Sequence, residues 1–239
     1  RIDPEIPILI HIPIEKKKII NKLLDKGKLV NQDKGSVAVV NVLSPHLNEL
    51  ICDMCAAPGM KTSLIAQYTR NKSKIVAGEF LPYRINEMKK IIQKLSAKNI
   101  FLLNTDSIKF PNRFKNYFDK VLLDAPCTGS GTFLSNPELK WRQNGKFLNQ
   151  NVILQEKLLD SALNLLKPHG TLVYSTCSLY PEEGEYQINK FLGELEPMSL
   201  PNWMGKSYQI DGKYIPGTAR LFPAQHHTEG FFIAKFKKK

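Results

Sequence analysis

Leu50-Ile51-Cys52-Asp53-Met54-Cys55-Ala56-Ala57-Pro58-Gly59-Met60-Lys61-Thr62 is the stretch that decides how this chain is read. A short apolar run ends at Asp53, small residues and a Pro-Gly pair follow, and Thr62-Ser63-Leu64-Ile65-Ala66-Gln67-Tyr68 continues as a helix. Strand, tight loop and helix make the opening unit of a doubly wound α/β sheet, whose ligands bind in the crevice at the carboxyl ends of the strands. Small side chains let the backbone come close to a ligand, and the helix N-terminus offers it free N–H groups. Taken alone, the loop is equally an ordinary βα turn, so the context has to decide.

Outward from this loop the rhythm is regular. Strands are expected at residues 50–54, 74–78, 100–104, 118–124 and 171–176, and helices at 62–70, 82–96, 149–166 and 182–192. Alternation of this kind predicts parallel pairing in a doubly wound, Rossmann-like α/β sheet. Lys167-Pro168-His169-Gly170 reads as a helix stop, and Phe231-Phe232-Ile233-Ala234-Lys235-Phe236 as part of an antiparallel C-terminal edge. Residues 31–43 carry Val37-Ala38-Val39-Val40, which suits a helix or a strand; so short a run does not distinguish them. Two regions follow: residues 1–30, an N-terminal segment with a strand-like apolar piece and a basic helix from Glu15 to Leu24, and an α/β domain over 31–239.

Composition narrows the function. The 239 residues include 34 Lys and Arg against 22 Asp and Glu, a formal charge of +12. So basic a domain suggests a polyanionic partner, most simply nucleic acid, with lysines 16–18 and Arg142 as candidate phosphate contacts; a solvated basic face is the alternative. Four scattered cysteines do not make a disulfide framework. Cys52 and Cys55 form a CxxC without a second pair, and His226-His227 are adjacent and share no face, so no metal site is expected. No apolar run reaches membrane-spanning length, and the apolar start is too interrupted for a signal peptide; a cytoplasmic monomer is expected.

Three carboxylates fall just beyond strand ends: Glu79, Asp106 and Asp124. Glu79 stands about 20 residues past the loop, where such folds place the acceptor of ribose hydroxyls. A G-x-G-x-x-G pattern is missing from the first loop, which disfavours an oxidoreductase and favours a class I methyltransferase using S-adenosylmethionine. Two cysteines share that edge, in Asp124-Ala125-Pro126-Cys127 and Tyr174-Ser175-Thr176-Cys177. Each alone reads as a small buried hydrophobe. Together with the carboxylates they suit attack on a pyrimidine, because a thiolate added to C6 makes C5 able to accept a methyl group. An acid must then meet N3, and Asp124 is placed for it. A base must afterwards remove the C5 proton so that the thiolate can leave.

These motifs resemble the RNA 5-methylcytosine methyltransferases of the Sun type. The likeness extends to Gln32-Asp33 with Ser36, Pro137 with Lys140-Trp141-Arg142, Pro181-Glu182-Glu183-Gly184-Glu185, Arg220-Leu221-Phe222-Pro223 and Glu229-Gly230-Phe231-Phe232, covering about residues 27–236. The resemblance implies a catalytic domain over 31–239 that transfers a methyl group from S-adenosylmethionine to cytosine C5 in RNA, tRNA ahead of rRNA. By it, Cys55, Ala56, Ala57, Pro58, Gly59, Met60 and Lys61 cradle the methionine part of the cofactor. Glu79 takes the ribose with Arg84 nearby, Asp106 the adenine, and Asp124 joins both the cofactor and the catalytic sets. Cys177 is the implied nucleophile, Cys127 assists product release, and Lys61 completes the catalytic set. Met60 stands where the family usually has Gly, Glu79 where Asp is commoner, and His169 and Gly184 depart at positions expected to be structural. A DNA methyltransferase, in which the Pro-Cys is the nucleophile, and an inactive RNA-binding protein are the competing readings.

Overall fold

The structure, a computed structural model, describes all 239 residues except the side chains of Ile14 and Lys17. Its elements run α1 (Lys17–Asp25), α2 (Lys34–Leu43), β1 (Leu50–Asp53), α3 (Met60–Tyr68), β2 (Lys74–Glu79), α4 (Pro82–Lys94), β3 (Ile100–Asn104), β4 (Phe118–Asp124), α5 (Gly145–Leu165), β5 (Leu166–Thr176) and α6 (Glu185–Phe191). There follow β6 (Leu195–Pro197), β7 (Gly205–Lys206), β8 (Gln209–Ile210), β9 (Lys213–Tyr214), β10 (Thr218–Leu221), α7 (Pro223–His226) and β11 (Phe231–Lys238). The main sheet is ordered β3-β2-β1-β4-β5-β11-β10-β7, with β6 beside β11. Strands β1 to β5 are parallel; β11 and β10 close the far side antiparallel. The expected mostly parallel sheet with an antiparallel C-terminal edge is present. Strand order reverses between β1 and β4, the switch point where such sheets open a crevice.

Alternation along the strands divides the core. Ile51, Leu122, Val173 and Ile233 face α2 and α3, packing on Val37, Val40, Leu43 and Ile65. Cys52, Val121, Leu123, Leu172 and Tyr174 face the opposite way, onto Leu158, Leu159, Ala162 and Ile188 of α5 and α6. Each such aliphatic side chain contributes about 1.5–3 kcal/mol when fully buried.

The structure settles the open reading of residues 31–43 as helix. Asp33 caps α2, its side chain accepting from Gly35 N at 2.8 Å, and burial of Val37, Val39, Val40 and Val42 outweighs their β preference. Gly35 is required: a Cβ there would stand 2.5 Å from the Phe231 ring. Residues 167–170 do end a helix, but they form a bulge within β5, between the pairs Phe118↔Leu166 and Lys120↔Thr171. Helix α5 starts earlier than expected because Asn144 caps it, accepting from Phe147 N at 2.9 Å. The apolar start is not a strand. Pro4, Pro7 and Pro13 remove ladder donors, leaving one isolated bridge, Ile2↔Ile10, while Ile6 is buried in the core against α2. Among the described residues no helix is long and apolar enough to cross a membrane, and no group of three His, Cys, Asp or Glu side chains could hold a metal.

Candidate active site

The loop after β1 turns at Gly59, whose φ of +102° suits glycine, and α3 begins at the next residue, Met60. Ala56 N donates to Gly78 O at 3.0 Å and Arg84 Nη2 donates to Ala57 O at 3.0 Å, so β2 and α4 hold the loop from both sides. Asp53, at the end of β1, is buried; its Oδ2 accepts from Thr62 Oγ1 at 2.7 Å and its Oδ1 has no partner. Burial and the Asp124 charge outweigh the Thr62 hydrogen bond and raise its pKa to about 7.

Glu79 ends β2 and is buried. It accepts from Leu81 N at 2.9 Å and pairs with Arg84 at 3.3 Å, and lone pairs remain on a carboxylate so engaged. Asp106 caps a short 3-10 turn by accepting from Ile108 N at 3.0 Å. Phe80, beside Glu79, leaves 64% of its surface exposed at this rim; the motifs gave no sign of it.

At the switch point, Asp124 ends β4 and pairs with Lys61 of α3 at 2.7 Å; its other oxygen accepts from Ser175 Oγ at 2.7 Å. Burial pulls the Lys61 ammonium down, but Asp124 and, behind it, Asp53 more than reverse this, so its pKa is raised and it stays charged. Next to this pair the sulfurs of Cys127 and Cys177 lie 3.2 Å apart. The hydrogen bond with Cys177, then burial, hold the Cys127 thiol well above the usual range, which leaves the proton on Cys127. Cys55 is also pushed up, by burial and by the surrounding carboxylates.

Two buried carboxylates hold the cysteine loops. Glu183 accepts from Thr128 N at 2.9 Å, from Thr128 Oγ1 at 2.5 Å and from Gln155 at 3.0 Å. Glu185 and Arg220, both wholly buried, join through two bonds of 2.7 and 2.6 Å, and Arg220 Nη1 donates to Ser178 O at 2.9 Å. Gly131 N donates to Cys177 O at 3.0 Å, tying the two loops directly. Asp33 binds Thr228 Oγ1 at 2.7 Å and Glu229 N at 3.1 Å, so the Gln-Asp and Glu-Gly motifs meet across the sheet. The structure thus brings Lys61, Asp124, Cys127 and Cys177 together, with the Cys55–Lys61 loop, Glu79, Arg84 and Asp106 along one rim. Sequence reasoning missed Ser175, although it lies inside a quoted motif, because its partner depends on the pairing Asp124↔Ser175.

A family described as 16S rRNA methyltransferase RsmB/F matches residues 40–237. The "Probable ribosomal RNA small subunit methyltransferase B" of Synechocystis sp. is 36% identical over 216 residues, 87% of this chain and 47% of that protein. The tRNA (cytosine(72)-C(5))-methyltransferase of Pyrococcus horikoshii is 36% identical over 221 residues, 91% of this chain and 54% of that protein. The crystal structure of NSun6 from Pyrococcus horikoshii with SFG superposes with a TM-score of 0.82 at 34% identity, covering 91% of this chain and 55% of that one. The chain spans about half the length of these curated relatives. With nearly all of the sheet, the loop after β1 and both cysteine loops inside the matched span, the chain belongs to the RsmB/F family of RNA cytosine-C5 methyltransferases.

Proposed function

We propose that this protein methylates C5 of a cytosine in RNA, through a covalent bond between Cys177 and C6. The observation that carries the reading is the pair of thiols 3.2 Å apart beside the Lys61–Asp124 ion pair, at the switch point of the sheet. The residues suit S-adenosylmethionine, a cationic ligand: Asp53 keeps a buried oxygen without a partner, and Glu79, Asp106 and Asp124 complete an acidic rim. The residues Cys55, Ala56, Ala57, Pro58, Gly59, Met60 and Lys61 would hold the methionine part. Glu79, oriented by Arg84, would take the ribose hydroxyls; Asp106 and the exposed face of Phe80 would take the adenine. When bound, S-adenosylmethionine supplies the electrophilic methyl group for C5.

The chain's own residues do the rest. The Cys177 thiolate adds to C6, and its electron pair displaces the C5–C6 π electrons toward N3. Asp124, fixed by Lys61 and Ser175, takes a proton from the Lys61 ammonium and passes it to N3 as negative charge develops there, and the proton returns to Lys61 by the same route when the adduct breaks down. After methylation, the C5 proton leaves to a base and the C–S bond breaks, returning the electron pair to Cys177. Cys127, one hydrogen bond from that sulfur, assists this release. Glu183 and the Arg220–Glu185 pair keep the two thiols in register.

The same reading places the catalytic domain in residues 31–239, since every proposed group lies there, and has the protein act as a cytoplasmic monomer without metal. The substrate is tRNA, a choice supported by the tRNA-named relative, which matches 91% of this chain. Ribosomal RNA is the second reading, favoured by the family description. Transfer of tritiated methyl to purified tRNA, ribosomal RNA and DNA tests both: label in tRNA as 5-methylcytosine is the expected result. Label only in ribosomal RNA selects the second reading, and label only in DNA overturns both.

A further inference from the structure

Beyond the thiols, a short 3-10 segment from Pro137 to Arg142 carries a tryptophan that the fold does not use. Trp141 leaves 90% of its surface exposed, more than any other large apolar side chain among the described residues, and Leu134 nearby leaves 78%. A single exposed apolar side chain is ordinary, so what singles Trp141 out is where and how firmly it is held. The tryptophan is not on a loose arm. Gln143 Nε2 donates to Thr128 O at 3.1 Å and to Leu139 O at 2.9 Å, and Leu139 packs so closely on Gly129 that a Cβ there would stand 2.9 Å from its methyl. Residues on both sides of Trp141 are therefore fastened to the two positions that follow Cys127. In the chain Trp141 stands between two cations, Lys140, whose ammonium lies 5.9 Å from the Phe133 ring centre, and Arg142, both exposed, with Lys146 beyond; Glu138 is the one acid of the segment.

We propose that Trp141 is a stacking platform for an unpaired base next to the target cytosine, with Lys140 and Arg142 holding the phosphates on either side of that base. This rests on the RNA reading above and adds the residue that grips the flanking nucleotide. An exposed aromatic between cations is the arrangement that binds single strands, because each base has a π face and each linkage a charge. The tether makes the position useful, because a base stacked on Trp141 is registered to Cys127 and its neighbour can turn out of the stack toward Cys177. The charge beside Trp141 is mainly positive, with Glu138 as the one acid of the segment, which favours a polyanionic strand over a protein partner.

The test uses the Trp203→Phe protein, in which Trp141 is the sole tryptophan; Trp203 packs against the core on the side of α2 and takes no part in the proposal. The probes are a single-stranded cytosine-containing RNA of twelve nucleotides and inorganic polyphosphate, which carries charge without bases. RNA should quench Trp141 emission over the range in which it binds, and polyphosphate should bind without quenching. Trp141→Ala should weaken RNA binding about 10-fold with an unchanged salt slope, and Trp141→Phe should recover most of it. Arg142→Gln should instead lower the slope by about 0.7, the loss of one phosphate contact on a single strand. RNA binding without quenching, or with equal affinity in Trp141→Ala, overturns the platform while leaving the RNA reading intact. A parent protein that binds polyphosphate and RNA alike, and methylates no RNA, overturns the RNA reading itself.

Discussion

At the scale of single residues, the chemistry depends on which group holds which proton. Asp53 shows how burial sets this: its pKa is raised to about 7, so near neutrality it is half ionised. Its charge would attract the cationic cofactor, and only the ionised form does so. Above pH 7 the carboxylate is ready; below it, binding must first expel a proton. Affinity for S-adenosylmethionine is therefore predicted to weaken as pH falls below about 7, approaching about 10-fold per unit. Calorimetry from pH 6 to 8.5 checks this, and Asp53→Asn should flatten the profile and weaken binding throughout. A flat profile in the parent protein contradicts the role. Asp124, Cys127 and Cys177 were legible in sequence because each follows an apolar strand. Ser175 as the partner of Asp124 was not, since it depends on how β4 registers against β5, and that register is set by the bulge at residues 167–170.

At the scale of elements, the chain uses its buried charge to hold two loops. Arg220 from β10 and Glu185 from α6 pair with no exposure, and Arg220 also binds the carbonyl after Cys177. Removing one partner leaves the other charge buried and uncompensated, which costs about 3–5 kcal/mol. Arg220→Met is thus predicted to lower the melting temperature by about 10 °C. The double variant with Glu185→Leu should recover most of that stability but not activity, because the grip on Ser178 is gone. Calorimetric melts with methyl-transfer assays separate the two effects; full activity in the double variant would count against the positioning role. The parallel strands and their helices were readable from hydrophobic rhythm alone. Helix α2 was not, because its valines suit a strand and only burial on every side makes a helix the better choice. The apolar start was read as strand-like because periodicity ignores the prolines that remove donors, and it forms only the isolated bridge Ile2↔Ile10.

At the scale of the whole molecule, a charge of +12 surrounds a sheet whose crevice is acidic, and this separates two kinds of attraction. The rim draws a cationic cofactor, and the surrounding surface draws a polyanion. Lys16 and Lys18 are exposed, as is Arg142, which fits the expected phosphate contacts; Lys17 lies outside the described side chains. Log affinity for RNA is predicted to fall linearly with log salt, by about 0.7 for each phosphate neutralised on a single strand. Titrations from about 50 to 300 mM salt check it, and a slope near zero would remove the electrostatic contribution. Overall charge was legible from composition, but the tether of the Trp141 segment to the loop after Cys127 was not, since it depends on the packing of Leu139 on Gly129 and the hydrogen bond of Gln143 to Thr128. The central claim is the division of labour between the two thiols, and one gel tests it. Cys127→Ala, Cys177→Ala and the double variant are each incubated with S-adenosylmethionine and substrate RNA and run under denaturing conditions. Cys127→Ala is predicted to migrate with RNA covalently attached, while Cys177→Ala and the double variant migrate free. RNA trapped on Cys177→Ala, with Cys127→Ala turning over normally, would contradict that division.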